Sequence, residues 1–230
     1  MITAASNSRI KRLVQLNQKS KLRRTEDIFL AEGVKMFLEA PREQLQEVYV
    51  SESFLEKCSC REHLEEVGYE VVSDSVFSKI SDTCTPQGVL CVLKQFHYNI
   101  EEMLRDKAPL FLLLENIQDP GNLGTMLRTG EGAGVSGIIM SRDTVDLYNP
   151  KVIRSTMGSI YRVPFYYADD FAAAVHQVQQ AGVSVYAAHL RGKNSYACQD
   201  YTKGTAFLIG NEGNGLREET AELADCYIRI

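Results

Sequence analysis

The chain has 230 residues, of which 44% are hydrophobic and 24% charged, a composition typical of a soluble globular protein. It contains no apolar run of about 18 residues, which excludes a membrane-spanning helix, and its N-terminus lacks the apolar core of a secretory signal. The formal net charge is −5, yet residues 1–24 carry seven basic side chains and no acidic one. Such a patch suits contacts with nucleic-acid phosphates, although a solvated helix face or a mitochondrial transit segment would have the same charge pattern.

Residues 1–94 are predicted to alternate helices and strands, as a small α/β domain does. Ser6 or Asn7 can cap a first helix whose apolar face contains Ile10, Leu13 and Val14. The elements predicted after it are a strand in DIFLAEG, a helix in VKMFLEA, a strand in EVYVSES, a helical SFLEKCSCREHLEEVG, a strand in YEVVS, a helix in DSVFSKIS and a buried strand in GVLCVL. Residues 95–108 are polar and charged, and we expect a linker there with at least one helical turn.

From residue 109 onward the pattern is typical of a parallel α/β sheet covered by helices. The predicted strands are LFLLLE, GIIMS, RVPFYY, VSVYAAHL, TAFLIG and CYIRI, and the predicted helices are GTMLRT, NPKVIRSTMGSI, DDFAAAVHQVQQAG and LREETAELA. Ligands of open α/β sheets gather at the carboxyl ends of the strands. We therefore expect the functional residues in the loops that follow these strands.

Three glycines of this region match the spacing of a dinucleotide-binding turn. Gly132, Gly134 and Gly137 form G-x-G-x-x-G, but they follow a predicted helix and precede a predicted strand. A dinucleotide-binding turn needs the opposite order, because only a following helix presents its N-terminus to the pyrophosphate. The glycines are better explained as a helix stop and a tight turn, which disfavours a dinucleotide-dependent oxidoreductase.

Two other loops have the order that a ligand site of such a sheet requires, in which a strand precedes the loop and a helix follows it. NIQDPGNLG follows the strand LFLLLE and places Asn116, Asp119 and Asn122 near the functional edge, with Arg128 on the next helix. Asn122 can alternatively be the N-cap of that helix, and Arg128 an ordinary surface arginine. FLIGNEGNGL contains Glu212 but lacks the Lys and Ser/Thr of a phosphate-binding P-loop. With the strand end in YAAHLRG, these loops predict one pocket of about adenine size.

The six cysteines are scattered and include no C-x-x-C pair. Buried free thiols in a reducing cytosol are the expected state. Cys58 and Cys60 have no second pair of ligands nearby, and we expect no metal site.

Together these segments resemble the SpoU (TrmH-type) branch of the SPOUT RNA 2′-O-ribose methyltransferases, over nearly the whole chain. SNSRIKRLVQLNQKSKLRRTEDIFLAEG resembles the start of the ribosomal-RNA subgroup, in which a small domain similar to ribosomal proteins binds the substrate. The segments that resemble the catalytic domain are NIQDPGNLGTMLRTGEGAGVSGIIM, NPKVIRSTMGSIYRVPF, FLIGNEGNGL and CYIRI. The resemblance implies an RNA substrate-binding domain at 1–94, a linker at 95–108 and a trefoil-knotted parallel α/β methyltransferase domain at 109–230.

The resemblance also implies a reaction and its residues. The methyl donor would be S-adenosylmethionine (SAM) and the acceptor a ribose 2′-hydroxyl, of ribosomal RNA rather than tRNA, in a cytoplasmic homodimer. The implied catalytic residues are Asn122, Arg128 and Glu212, with Arg128 on an RNA phosphate and Glu212 organising its loop. The implied cofactor-binding residues are Ala188, His189, Leu190, Gly210 and Ile230. The basic residues expected to contact RNA are Arg9, Lys11, Arg12, Arg23, Arg24 and Arg154.

The family pattern continues after Ile230 with Pro-Met and a Ser-Leu-Asn segment, which closes the knot and completes the cofactor pocket. We therefore expect the cofactor site formed by these 230 residues to be incomplete. The alternative function is that of a non-catalytic RNA-binding protein.

Overall fold

The computed structural model describes residues 1–229 and contains two compact units. Unit 1 comprises Met1–Phe96 and Asp146–Tyr161; unit 2 comprises His97–Val145 and the chain from Arg162 onward. The segment Asp146–Tyr161 belongs to unit 1, whereas the sequence assigns it to the second domain.

Unit 1 is built on a mixed sheet with the strand order β1-β4-β2-β3. Strand β4 is antiparallel to β1 and β2, and β3 is parallel to β2. The strands are β1 Ile28–Glu32, β2 Leu45–Ser51, β3 Glu70–Val72 and β4 Val89–Lys94. The helices, numbered along the whole chain, are α1 Ser8–Gln18, α2 Ser20–Glu26, α3 Val34–Leu38, α4 Glu52–Lys57, α5 Arg61–Val67, α6 Asp74–Ile80 and, from the later segment, α9 Pro150–Thr156.

Helix α1 shows how the sequence fixes the start of unit 1. The Asn7 side chain accepts the Arg9 backbone N–H at 2.9 Å and caps the helix, as one of the two alternatives predicted. Ile10, Leu13 and Leu16 recur at helical spacing and are at most 1% exposed. Helix α2 was not predicted, because its basic segment is too poor in apolar residues to show a helical period.

Unit 2 is a parallel sheet of seven strands within residues 97–145 and 162–229, in the order β7-β6-β5-β10-β8-β11-β9. The strands are β5 Leu110–Leu114, β6 Gly137–Ser141, β7 Phe165–Ala168, β8 Ser184–Ala188, β9 Asn194–Ser195, β10 Thr205–Ile209 and β11 Cys226–Arg229. The helices are α7 Ile100–Met103, α8 Pro120–Ala133, α10 Phe171–Gln180 and α11 Glu218–Ala221. The predicted parallel α/β sheet is confirmed.

The strand order determines where the functional loops meet. Strand β10 pairs in parallel with β5 on one side and with β8 on the other. The carboxyl ends of these three strands are therefore neighbours at one edge of the sheet. Below them, Phe111, Leu113 and Leu208 are fully buried against Val175 and Val178 of α10. Burial of each such side chain contributes roughly 1.5–3 kcal/mol.

The G-x-G-x-x-G spacing has the structural role that its order predicted. Helix α8 ends at Ala133, and Gly134 follows as a left-handed C-cap with φ +73°. Gly137 begins β6, where an added Cβ would lie 2.7 Å from the Met103 sulfur. The glycines stop a helix and admit a close neighbour, and they do not precede a helix N-terminus.

The cysteines are free thiols, as expected, but they are not uniformly buried. Cys91 on β4 is buried, whereas Cys84 and Cys198 are exposed. Within residues 1–229, no group of three His, Cys, Asp or Glu side chains is arranged to hold a metal ion. In the same residues, no helix has the length and apolar character to span a bilayer.

Candidate active site

Glu212 ties the loop after β10 to the loop after β5. Its Oε1 accepts the Asp119 backbone N–H at 3.0 Å and the Asn122 side-chain amide at 3.2 Å. Its Oε2 accepts the Gln118 backbone N–H at 3.1 Å. Burial opposes ionisation of this carboxyl, but the hydrogen bonds, led by that from the Asp119 backbone, outweigh it and lower the pKa of Glu212. Glu212 is therefore ionised at neutral pH and engaged by several donors.

Asn122 lies in the first turn of α8 and is not its N-cap. The cap is Asp119, whose Oδ1 accepts the Asn122 backbone N–H at 2.8 Å, so the helix begins three residues earlier than the Asn122 alternative implied. The Asn122 amide nitrogen points to Glu212, so the opposite side of the amide carries Oδ1. That oxygen has no hydrogen-bond partner within residues 1–229, and the residue is exposed. It is available to accept a hydrogen bond from a hydroxyl group.

The turn after β10 is held by its own polar groups. The Asn211 Oδ1 accepts two backbone N–H groups of the turn, both at 3.0 Å, and its Nδ2 donates to the Asn116 carbonyl at 2.8 Å. Gly210 allows the turn to fold back, since a Cβ there would lie 2.2 Å from the Leu216 nitrogen. Gly210 is thus required by the backbone of the loop itself.

A buried carboxylate lies beneath these loops. The Glu115 side chain, 2% exposed, accepts the Arg217 backbone N–H at 2.8 Å and the Thr220 hydroxyl at 2.5 Å. The Arg217 guanidinium contacts Glu115 at 3.4 Å and also pairs with Asp143, in the loop after β6. Burial works against ionisation of Asp143, but hydrogen bonds from Ser141 and Arg217 lower its pKa. One arginine therefore connects three strand ends.

The residues implied for the cofactor lie on two of the neighbouring strand ends. Ala188 ends β8, the His189 backbone N–H donates to the Ile228 carbonyl at 3.0 Å, and Leu190 is 90% exposed. Gly210 follows β10, the strand paired with β8. An exposed leucine beside the backbone of two strand ends suits a flat, largely apolar group such as adenine.

One implied cofactor residue, Ile230, lies outside the described residues. Another of these residues, His189, contacts β11: its ring lies 4.8 Å from the Tyr227 ring, centroid to centroid, and its Nδ1 accepts the Arg191 backbone N–H at 3.2 Å. The loop after β8 is therefore ordered by contacts with β11.

Comparisons with known proteins match both parts of the chain. Residues 109–230 match the model of the SpoU rRNA Methylase family, and residues 7–91 match that of the MRM3-like substrate binding domain. The chain belongs to the SpoU rRNA methylase family. It is 31% identical over 232 residues to the 23S rRNA (guanosine(2553)-2′-O)-methyltransferase RlmP of Bacillus subtilis (strain 168), covering 100% of this chain and 89% of that relative.

Solved SpoU-type structures have the same fold. The AdoMet-bound rRNA methyltransferase from Sinorhizobium meliloti is 29% identical, with a TM-score of 0.83 over 100% of this chain and 87% of that one. The SpoU methyltransferase AviRb from Streptomyces viridochromogenes, in complex with AdoMet, is 22% identical, with a TM-score of 0.87 over 97% of this chain and 88% of that one. The fold of this SpoU chain is thereby established over its described length.

Arg128 of this SpoU chain is exposed on α8. Its guanidinium makes no hydrogen bond or ion pair with any residue from 1 to 229. It follows Asn122 by six positions, which places it about 9 Å further along the helix axis and on a different face. The unpaired Arg128 guanidinium is available to a phosphate.

The basic residues of the SpoU chain's unit 1 are less uniformly free than the charge pattern suggested. Arg9 pairs with Glu70 at 3.1 Å, and Arg12 pairs with Glu26 and Glu47, both at 2.7 Å. Three further basic side chains predicted to contact RNA are exposed: Lys11, Arg24 and Arg154. Arg154 pairs with Asp82 at 3.3 Å, whereas Lys11 and Arg24 form no ion pair within the described part of the chain.

Arg23 requires a correction. It is 3% exposed, and its guanidinium donates to the Leu16 carbonyl at 2.6 Å and pairs with Asp146 at 2.6 Å. A buried, internally bonded arginine does not suit an RNA contact. Arg23 instead anchors the segment Asp146–Tyr161 within unit 1, which sequence spacing could not reveal because 123 residues separate the two charges.

The sequence also missed the Glu115–Arg217 pair. One feature of the sequence pointed weakly to it: the apolar run LFLLLE ends in an acidic residue. A parallel strand buried on both faces does not tolerate an unpaired charge, so a partner for this glutamate was to be expected. Its partner could not be identified without the strand order, because 102 residues separate Glu115 from Arg217.

Proposed function

We propose that this protein transfers the methyl group of SAM to a ribose 2′-hydroxyl of ribosomal RNA. The observation that carries the proposal is the clamp of Glu212 on Asp119 and Asn122, which fixes an open amide oxygen at the carboxyl edge of the sheet. Family membership supports it: the relative RlmP is named as a 23S rRNA 2′-O-methyltransferase, and the Sinorhizobium meliloti neighbour is described as AdoMet-bound.

Asn122 and Arg128 have separate roles in this proposal. When bound, SAM supplies a methyl group already activated by its sulfonium, so the protein mainly aligns an in-line displacement. The open Oδ1 of Asn122 accepts the 2′-hydroxyl proton in a hydrogen bond and orients the oxygen lone pair. Arg128 binds the adjacent phosphate. Arginine stays protonated in proteins, so the hydroxyl proton leaves to phosphate or water rather than to Arg128.

Glu212 acts as a brace in this mechanism. Its lowered pKa and its bonds to two backbone N–H groups make it a weak proton acceptor. Its contribution is to hold Asn122 in one orientation before the substrate arrives, which reduces the entropy lost on alignment.

The remaining assignments follow the same proposal. Ala188, His189, Leu190 and Gly210 hold SAM through backbone groups and an apolar contact, and the exposed basic residues of unit 1 attract rRNA. We place RNA recognition in residues 1–94 and methyl transfer in 109–230, supported by the spans of the two family models. A cytoplasmic homodimer is the assembly proposed.

The test is methyl transfer from labelled SAM into unmodified rRNA transcribed in vitro, catalysed by the full-length protein. A ribose 2′-O-methyl group makes the adjacent phosphodiester resistant to alkali, so an alkali-resistant, labelled dinucleotide identifies the product. Base methylation would give label without alkali resistance. RNA binding with no heat on SAM titration and no transfer would overturn the proposal and support a non-catalytic RNA-binding protein.

A further inference from the structure

Unit 1 contains a cavity that the proposed reaction does not use. Its volume is about 260 Å³, and it lies between the N-terminus of α3, the loop before β4 and the end of α9. The side chains that bear on its chemistry are Glu32, Lys35, Thr85, Gln87, Arg154 and Met157. This volume is slightly below the roughly 300–1,000 Å³ of small-molecule sites, so it suits one flat group rather than a long segment.

The cavity presents two unpaired hydrogen-bond donors, one of them held in a fixed position. The Gln87 Oε1 accepts the Val34 backbone N–H at 2.9 Å, which turns its amide nitrogen away with no partner within residues 1–229. The Thr85 hydroxyl is exposed and likewise has no hydrogen-bond partner in that range. The Gln87 amide held in this way, and the exposed Thr85 hydroxyl beside it, can hydrogen-bond to the edge of a nucleobase.

The available charge of the cavity is positive. Its one carboxylate, Glu32, is occupied by the Ser81 hydroxyl at 2.8 Å, the Thr83 hydroxyl at 3.1 Å and a backbone N–H at 3.3 Å. Lys35 is 53% exposed and lies 3.6 Å from Glu39, a distance typical of a weak surface pair. Arg154, 46% exposed, pairs with a carboxylate at 3.3 Å. Both cations can exchange such partners for a phosphate.

Met157 adds an apolar surface in an unusual conformation. It follows α9 with φ +52°, a left-handed conformation that costs a non-glycine residue roughly 1–2 kcal/mol. Its side chain is nevertheless 44% exposed beside the cavity. Neither packing nor backbone preference favours methionine here, whereas a polarisable thioether makes good contact with an aromatic ring.

We propose that this cavity binds one unstacked nucleotide of the RNA substrate. The base packs on Met157, the donors of Gln87 and Thr85 contact its edge, and Lys35 and Arg154 bind the flanking phosphates. Sequence-specific proteins read RNA mostly through such splayed-out bases. The inference rests on the proposed function, which supplies RNA as the ligand, and adds a specificity site to it.

The first test is ultraviolet crosslinking of the wild-type protein to unmodified in vitro-transcribed 23S rRNA, followed by mass spectrometry of the peptides. We expect a nucleotide adduct on the tryptic peptide that spans residues 155–162, which contains Met157. Adducts confined to other peptides would contradict the cavity as the binding site.

The second test uses Met157→Gly and Gln87→Ala. Glycine accepts the positive φ, so Met157→Gly removes the side chain without lowering the melting temperature. We expect each variant to raise the KM for RNA about tenfold, with kcat and the KM for SAM within about twofold. Gln46→Ala on β2, an exposed change elsewhere in unit 1 that alters no charge, is the matched control and should leave the KM for RNA unchanged.

The outcomes separate the two proposals. Absence of methyl transfer by the wild-type protein would contradict the proposed function. Transfer by the wild type with an unchanged KM for RNA in both variants would overturn the nucleotide site alone. A raised KM together with a large fall in melting temperature would assign the residues a structural role and also overturn it.

Discussion

Replacing Glu212 with glutamine tests whether this residue braces the site or removes a proton. The change keeps the size of the side chain and removes its charge. In the carboxylate, Oε1 accepts from Asp119 and Asn122, and Oε2 accepts from Gln118 and Asn211. Glutamine keeps only one acceptor oxygen. Whichever orientation the glutamine takes, two of the four donors lose their acceptor.

The size of the effect follows from those two contacts. A hydrogen bond to a charged group contributes about 1.5–3 kcal/mol, and we take about 1 kcal/mol here because water can replace the lost partner at this exposed site. Two such losses amount to at most about 2 kcal/mol, which corresponds to a fall in kcat of up to about 30-fold if it all falls on alignment of the site. The melting temperature should fall by less than about 8 °C, because 1 kcal/mol corresponds to about 2–4 °C in a protein of this size.

The pH dependence distinguishes the two roles. Because the pKa of Glu212 is lowered in the folded protein, its stabilising contribution is complete above the ordinary glutamate pKa of about 4.3 and is lost as pH falls through the lower folded value. A brace therefore gives wild type and Glu212→Gln the same shape of pH–kcat profile above about pH 4.3. If glutamate were the base, its loss would lower kcat by about 10²–10⁴-fold, and the residual activity would lack the acid limb that Glu212 gives the wild type below that pH.

The assay is steady-state methyl transfer at several pH values, with Glu219→Gln as the control. Glu219 is an exposed glutamate of α11 in the same unit, and its replacement should leave kcat unchanged. A Glu212→Gln protein that is folded and has full kcat would refute the bracing argument. So would loss of the acid limb.

Three further changes have definite expectations. Arg128→Ala should raise the KM for RNA and lower kcat with no change in melting temperature, because Arg128 has no ion pair within the described chain; a drop in stability would contradict this. Asp146→Ala leaves the buried Arg23 charge unpaired and should cost about 3 kcal/mol, measured by urea denaturation, whereas a cost below about 1 kcal/mol would argue against Arg23 as an anchor. Iodoacetamide should modify the exposed Cys198 in the native protein and spare Cys91, because Cys91 is buried and burial raises the pKa of its thiol. Mass spectrometry of the alkylated peptides checks both expectations.

Much of the fold could be predicted from local patterns. The apolar runs of β5, β6 and β10 have the length and composition of strands buried on both faces, and each lies where its run predicts. Order along the chain sufficed to reject the G-x-G-x-x-G spacing, because the glycines follow a helix. Short elements were less accessible: α2 and β9 lack a clear period, so their sequences resemble loops.

For the candidate site, the positions of residues could be predicted from local sequence, but their partners could not. Residues near a strand end, such as Asn122, can be placed at the functional edge from sequence order alone. Their partners cannot, because β5 and β10 are neighbours only through the strand order, and Glu212 lies 90 positions beyond Asn122.

Charge is the least predictable property of the site. Arg23 and Arg128 are both arginines in helical segments, yet Arg23 is buried on Asp146 and Arg128 is exposed without an ion pair in residues 1–229. The difference depends on whether a distant carboxylate lies within reach in the folded chain. A basic segment therefore predicts the sign of a surface, but only the fold decides which of its arginines are available to a phosphate.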